Sequence, residues 1–134
     1  MVAVPVAMHI SRIIINENAD QQYVFLREVG GERTFAIVIG LFEATSIDRR
    51  VKGNRSPRPL THDLIANMVN HMGGEIVEVH ITELRDATYF ATIHISKNGD
   101  MVEIDSRPSD ALALAVTVNA PIFVAEHVLE ELVD

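Results

Sequence analysis

The chain has 134 residues, 48% hydrophobic and 22% charged, with a formal net charge of −8, no cysteine and no tryptophan. This is the composition of one globular domain with a core of Val, Ile, Leu, Ala and Met, and it excludes a disulfide framework and a thiolate metal centre. The acidic balance disfavours a tight grip on long duplexes or anionic membranes, and the longest apolar run, residues 35–42, falls far short of the roughly 20 residues of a membrane helix.

The opening Met1-Val2-Ala3-Val4-Pro5 has no basic region leading into an apolar run, so no signal peptide is expected and a cytoplasmic location is. Strands are predicted over residues 7–15, 22–29 and 33–39, where apolar and β-branched residues alternate, with Gly30-Gly31 as the turn between the last two. A helix over 40–51 follows and carries Glu43 in its first turn. From Arg49 to Arg58 the chain reads RRVKGNRSPR, with five basic residues and no acidic one. Such a run is either a solvated loop or a local anion grip on an otherwise acidic body.

Thr61 is the expected N-cap of a helix over 62–72, with Asp63 near the positive end of its dipole and Gly73-Gly74 ending it. Val77 to Thr82 alternates strictly within a strand predicted at 75–84, and Tyr89, Ala91, Ile93 and Ile95 share one face of the next, at 88–96. Asn98-Gly99 is a type I′ hairpin signal leading to a strand at 100–105. Pro108 opens a helix over 108–119 that is apolar nearly all round and is therefore expected between layers. A strand at 121–125 and a helix at 126–132 complete the chain.

These elements read as a single α+β domain over residues 1–134, with a mostly antiparallel sheet and packed helices. The order of elements repeats. Gly31 and Gly99 sit in corresponding turns, Gly40 and Pro108 open corresponding helices, and Pro59 and Pro121 precede helices with an early carboxylate, Asp63 or Glu126. The expectation is an internal duplication of a strand-hairpin-strand-helix unit, with a short insertion in the first copy ending at Arg58. An exposed sheet edge in so strand-rich a chain is one route to a homodimer or higher homo-oligomer.

Two polar junctions hold the candidate chemistry. Arg58-Pro59-Leu60-Thr61-His62-Asp63 gathers a guanidinium, a hydroxyl, an imidazole and a carboxylate where a loop enters a helix. Arginine holds phosphate bidentately, histidine moves protons near neutral pH, and carboxylate oxygens suit Mg²⁺ or Mn²⁺. Asp105-Ser106-Arg107-Pro108-Ser109-Asp110 lies where a strand ends and a helix begins. Plain helix capping accounts for Thr61, Asp63, Ser109 and Asp110 equally well, but leaves Arg58 and His62 unexplained. Of the remaining histidines, His80 and His94 read as a cross-strand surface pair, with a metal pair as the alternative. No P-loop, Gly-x-Gly-x-x-Gly or His-Glu-x-x-His pattern occurs.

At those junctions the sequence resembles the bifunctional nuclease family. The stretches that carry the resemblance are Ile39-Gly40-Leu41-Phe42-Glu43-Ala44, Arg58-Pro59-Leu60-Thr61-His62-Asp63-Leu64, Arg107 to Ala115 and Ala120-Pro121-Ile122-Phe123-Val124. Ser106 departs from the small apolar residue usual there. The resemblance implies ribonuclease and deoxyribonuclease activity, hence RNA and DNA as low-affinity partners and no membrane. Independently of the resemblance, the chemistry of the two junctions makes His62, Asp63 and Asp105 the expected catalytic groups. Arg58, Thr61, Arg107 and Ser109 are expected to contact substrate, and Glu43, Asp63, Asp105 and Asp110 to hold a divalent ion, Mg²⁺ or Mn²⁺. The alternatives are a non-enzymatic binding or oligomeric module, which the scarcity of stacking aromatics favours, and a small-anion-binding protein.

Overall fold

A computed structural model describes residues 4–54 and 56–132. Arg55 of the basic stretch, the opening Met1–Ala3 and the last two residues lie outside the described residues. Seven strands and four helices follow in the order β1 (Val6–Ile14), β2 (Gln22–Glu28), β3 (Thr34–Ile39), α1 (Leu41–Val51), α2 (Thr61–His71), β4 (Gly74–Arg85), β5 (Thr88–Lys97), β6 (Asp100–Ser106), α3 (Pro108–Val118), β7 (Ile122–Val124) and α4 (Glu126–Leu132). The predicted α+β class and every predicted element are present, with no end displaced by more than one residue, within the usual uncertainty of frayed termini.

The strands form one sheet in the order β3-β2-β1-β7-β4-β5-β6. Two antiparallel three-stranded meanders flank the short β7, which runs antiparallel to β1 and parallel to β4. The sheet is strongly curled. Phe35 on the outermost strand β3 meets Tyr89 on β5, five places away, with ring centroids 5.9 Å apart. Strand alternation then lines the inner face with Val24, Leu26, Ile37, Val79, Ile81 and Ala91, all at most 2% exposed. β3 and β6 are the two sheet edges, and Met101, Val102 and Ile104 on β6 are exposed.

α3 lies between the inner face, at β4 and β5, and the outer helices α1 and α2. That position explains its composition, since Ala111 to Ala115 are each at most 2% exposed. Truncating Leu112 or Leu114 there would cost about 2–5 kcal/mol. Left-handed Asn119 (φ 58°) ends the helix and sends the chain into β7. α2, by contrast, has no fully buried residue, and its Leu64, Ile65, Met68 and the following Met72 are exposed.

Turn chemistry departs from expectation in two places. Asn98 (φ 52°) and Gly99 (φ 83°) form the expected primed turn. The β2–β3 connection is instead a loop of residues 29–33 in which only Gly30 is left-handed, so Gly30-Gly31 is not a two-residue hairpin turn. The β4–β5 turn uses Asp86 (φ 51°) and Ala87 (φ 62°). Alanine has no side-chain feature that signals a left-handed position, which leaves that turn invisible to turn preferences. Arg33 closes the same end of the molecule. Its guanidinium donates to Glu28 Oε2 at 2.7 Å and to Glu126 Oε1 at 2.6 Å, tying the β2–β3 hairpin to α4. The two carboxylates raise the Arg33 pKa further above its ordinary range.

Candidate functional site

The site is built from the N-termini of three helices and the end of one strand. α1 starts after Gly40, α2 after Leu60 and α3 after Arg107, and none of the three N-cap residues caps through its side chain. Their starts meet around a cleft of about 1050 Å³ lined by Glu43, Arg49, Thr61, His62, Arg107 and Asp110, with Asp105 and Ser106 at the end of β6. The two junctions identified in the sequence therefore converge on one cavity, across a separation of some forty residues in the chain.

A connected chain of polar contacts runs through it. His62 Nε2 lies 3.0 Å from Asp110 Oδ1, and Arg107 Nε donates to Asp110 Oδ2 at 2.9 Å. The other end of the same guanidinium approaches Glu43 Oε1 at 3.6 Å. His62 is largely sequestered, with 12% of its side chain exposed, whereas Arg107 is 66% exposed. Burial pushes the Asp110 carboxyl upward, but the hydrogen bonds from Arg107 and His62 outweigh it and hold the group below the ordinary carboxylate value. Asp110 is thus a charged acceptor that orients the imidazole. It spends neither oxygen on the backbone donors of its own helix, contrary to the capping alternative.

Glu43 is aimed by close approach. A Cβ at Gly40 would stand 2.3 Å from Glu43 Oε2, so the side chain folds over the space that the glycine leaves empty. Phe42 stands at the cleft rim, 85% exposed. Asp105 is register partner to Thr92 on β5, and alternation sets its side chain on the face of His94 and Glu103. It therefore borders the cleft from the rim rather than from within.

Other expected residues sit elsewhere. Asp63 faces a second recess, of about 500 Å³, on the other side of the α1–α2 connection. Its Oδ2 accepts from Leu60 N–H at 2.9 Å, and its Oδ1 pairs with Arg50. The N-cap of α2 is accordingly Leu60 and not Thr61, because Asp63 at the third helical position reaches back to hold the Leu60 amide. Burial raises the Asp63 pKa, yet the Leu60 amide and Arg50 outweigh it and lower it overall. Ser109 is 8% exposed and Arg58 is exposed, and neither lines the cleft. No three of Glu43, Asp63, Asp105 and Asp110 bring a ligand oxygen each within 4.8 Å of one another. Arg49, which lines both cavities, was visible in the sequence only as part of the basic run.

In comparison with known proteins, the family model described as the bifunctional nuclease domain matches residues 24–133. An uncharacterized protein of Mycobacterium tuberculosis is 37% identical over 119 residues, spanning 89% of this chain and 71% of the relative. A protein of Oryza sativa named bifunctional nuclease 2 is 31% identical over 112 residues, which is 81% of this chain and 34% of that one. Its namesake in Arabidopsis thaliana is 38% identical over 73 residues, covering 52% of this chain and 22% of the plant protein. The chain thus spans about a third or less of these plant relatives.

Proposed function

The chain belongs to the bifunctional nuclease domain family, and on that premise we propose that it hydrolyses phosphodiester bonds of RNA and DNA in the cleft between the starts of α1, α2 and α3. The observation that carries this reading is the His62–Asp110 pair beside Arg107 in an open, solvent-reached cavity.

A site that cleaves both polymers cannot depend on the ribose 2′-hydroxyl as nucleophile, so water attacks phosphorus while the P–O bond to the departing ester oxygen breaks, and that oxygen takes up a proton from solvent. With Nε2–H donated to Asp110, the His62 Nδ1 is the unprotonated nitrogen and takes the proton from that water. Asp110 keeps the ring oriented and favours the imidazolium that forms. Arg107 leaves its hydrogen bond to bind the non-bridging oxygens, which gain charge in the transition state. Phe42 offers a face for an unpaired base, which favours single-stranded substrate over duplex.

Glu43 is a carboxylate inside the cleft of the kind that would hold Mg²⁺ or Mn²⁺ together with substrate phosphate, whereas alternation sets the Asp105 side chain on the opposite face of the sheet. Such an ion would lower the pKa of the attacking water and neutralise phosphate charge. Asp63, turned away and doubly engaged, acts in this reading on α2 and not on substrate.

The test is cleavage of single-stranded RNA and plasmid DNA by purified protein with Mg²⁺, Mn²⁺ or chelator. Activity that persists unchanged in His62→Gln and Asp110→Asn would refute the mechanism. A non-enzymatic binding module is the second reading. It is favoured by the mutual pairing of Arg107 with Asp110 and by the exposed apolar row on α2, and absence of any cleavage would leave it standing.

A further inference from the structure

The outer face of the sheet carries a second polar cluster. Glu78 on β4, His94 on β5 and Glu103 on the edge strand β6 are direct cross-strand partners in one row. His80, two residues beyond Glu78, completes the group from the next row. The His80 and His94 rings stack with centroids 4.1 Å apart and planes 10° apart, and Phe123 of β7 stacks on the other face of His80 at 5.0 Å. Ile93 and Ile104, the neighbours of His94 and Glu103, line the cleft, so strand alternation sets this cluster on the other side of the sheet.

The ring nitrogens point into a carboxylate-lined corner. His80 Nε2 is in contact with Glu78 Oε2, and His94 Nε2 lies 3.2 Å from Glu103 Oε1 and 3.2 Å from Thr92 Oγ1. One ligand atom each from Glu78, His80 and His94 fall within 4.8 Å of one another, and no other trio of His, Asp and Glu does so among the described residues. The two imidazoles are 15% exposed, so the site is recessed but open to water through Glu103, which is 62% exposed.

The two imidazoles and the Glu78 carboxylate gather nitrogen and oxygen donors in one recessed corner. A divalent ion on the two Nε2 lone pairs and a carboxylate neutralises the corner and suits both ligand types. Ligand atoms around a tetrahedral Zn²⁺ lie roughly 3.3 Å apart, so binding requires the stacked rings to turn out of parallel until both Nε2 lone pairs meet at the ion. Imidazole ligation selects Zn²⁺ or a neighbouring transition metal over Mg²⁺.

We infer that Glu78, His80 and His94, with Glu103 as a fourth carboxylate, form a transition-metal site on the outer face of the sheet, separate from the cleft and chemically distinct from an oxygen-only site. Metal there clamps β4, β5 and β6 together, including the edge strand, which otherwise pairs only with β5.

The experiment is a Zn²⁺ titration of the chelator-treated protein, followed by histidine ring resonances in NMR, with Co²⁺ absorption as the report on coordination geometry. The expected result is selective movement of the His80 and His94 resonances, a tetrahedral Co²⁺ spectrum and no displacement by excess Mg²⁺. His94→Gln and Glu78→Gln are each expected to weaken binding by about tenfold or more, while His62→Gln in the cleft leaves it unchanged. Unmoved His80 and His94 resonances, displacement by Mg²⁺, or equal affinity in His94→Gln would overturn the inference. The resonance measurement uses the unaltered protein and does not depend on how any variant folds.

Discussion

His62 and Asp110 lie 48 residues apart in the chain and meet at 3.0 Å between Nε2 and Oδ1. Each belongs to the first turn of its own helix, so the contact reports how α2 and α3 pack. If this pair moves protons, His62→Gln and Asp110→Asn should each lower kcat on an RNA or DNA oligonucleotide by roughly 100-fold or more. The loss should greatly exceed any change in KM. Steady-state kinetics on both variants supplies the check.

Phe42 at the rim gives a second handle. Phe42→Ala should weaken binding of single-stranded oligonucleotide by about tenfold, within the 1–3 kcal/mol range of base stacking, and leave duplex binding nearly unchanged. Fluorescence anisotropy on matched single- and double-stranded probes measures both. Equal losses on the two probes would remove Phe42 as a stacking platform.

Asp63 separates stability from catalysis. Asp63→Ala removes the acceptor for the Leu60 amide and the partner of Arg50, which should cost about 1–2 kcal/mol. Urea unfolding should show the loss while the kcat of the folded fraction stays within a few-fold. A collapse of kcat with stability intact would return Asp63 to the catalytic set.

Ala87 occupies a left-handed backbone position (φ 62°) in the β4–β5 turn. Glycine adopts that conformation without the Cβ penalty, so Ala87→Gly should stabilise the protein by about 1 kcal/mol. A rise in thermal midpoint is the expected readout, and a fall would mean that the turn relaxes differently from its present form.

Acid should unfold the protein through its paired carboxylates. Arg33 lowers Glu28 and Glu126 from 4.5. In Asp63 and Asp110 burial raises the pKa, but hydrogen bonds outweigh it and bring both below 3.8. Because the native values lie below the unfolded ones, the unfolded chain takes up protons first as pH falls. Their stabilisation is complete at neutral pH, declines as pH passes down through these ordinary values, and is gone below the native ones. Urea midpoints at stepwise lower pH should fall through that window, and Arg33→Gln should flatten the decline.

What the sequence determined alone is local in origin. Val77 to Thr82 alternates and could only be a strand with one buried face, the all-apolar Ala111 to Val116 could only be an interior helix, and Asn98-Gly99 could only be a tight hairpin. Each follows from the conformational preference and water affinity of a few adjacent residues, which is why the element order was legible. The tertiary structure decided which way the polar side chains face. Asp63 and His62 are adjacent, yet successive positions on a helix point about 100° apart, so one turns to Arg50 and the other to Asp110. Likewise the pairing of His94 with Glu78 and Glu103 depends on the register of three strands, including an irregularity between Ile76 and Glu78. Register and helix rotation are set by packing summed over the whole core, and no local stretch of sequence encodes them.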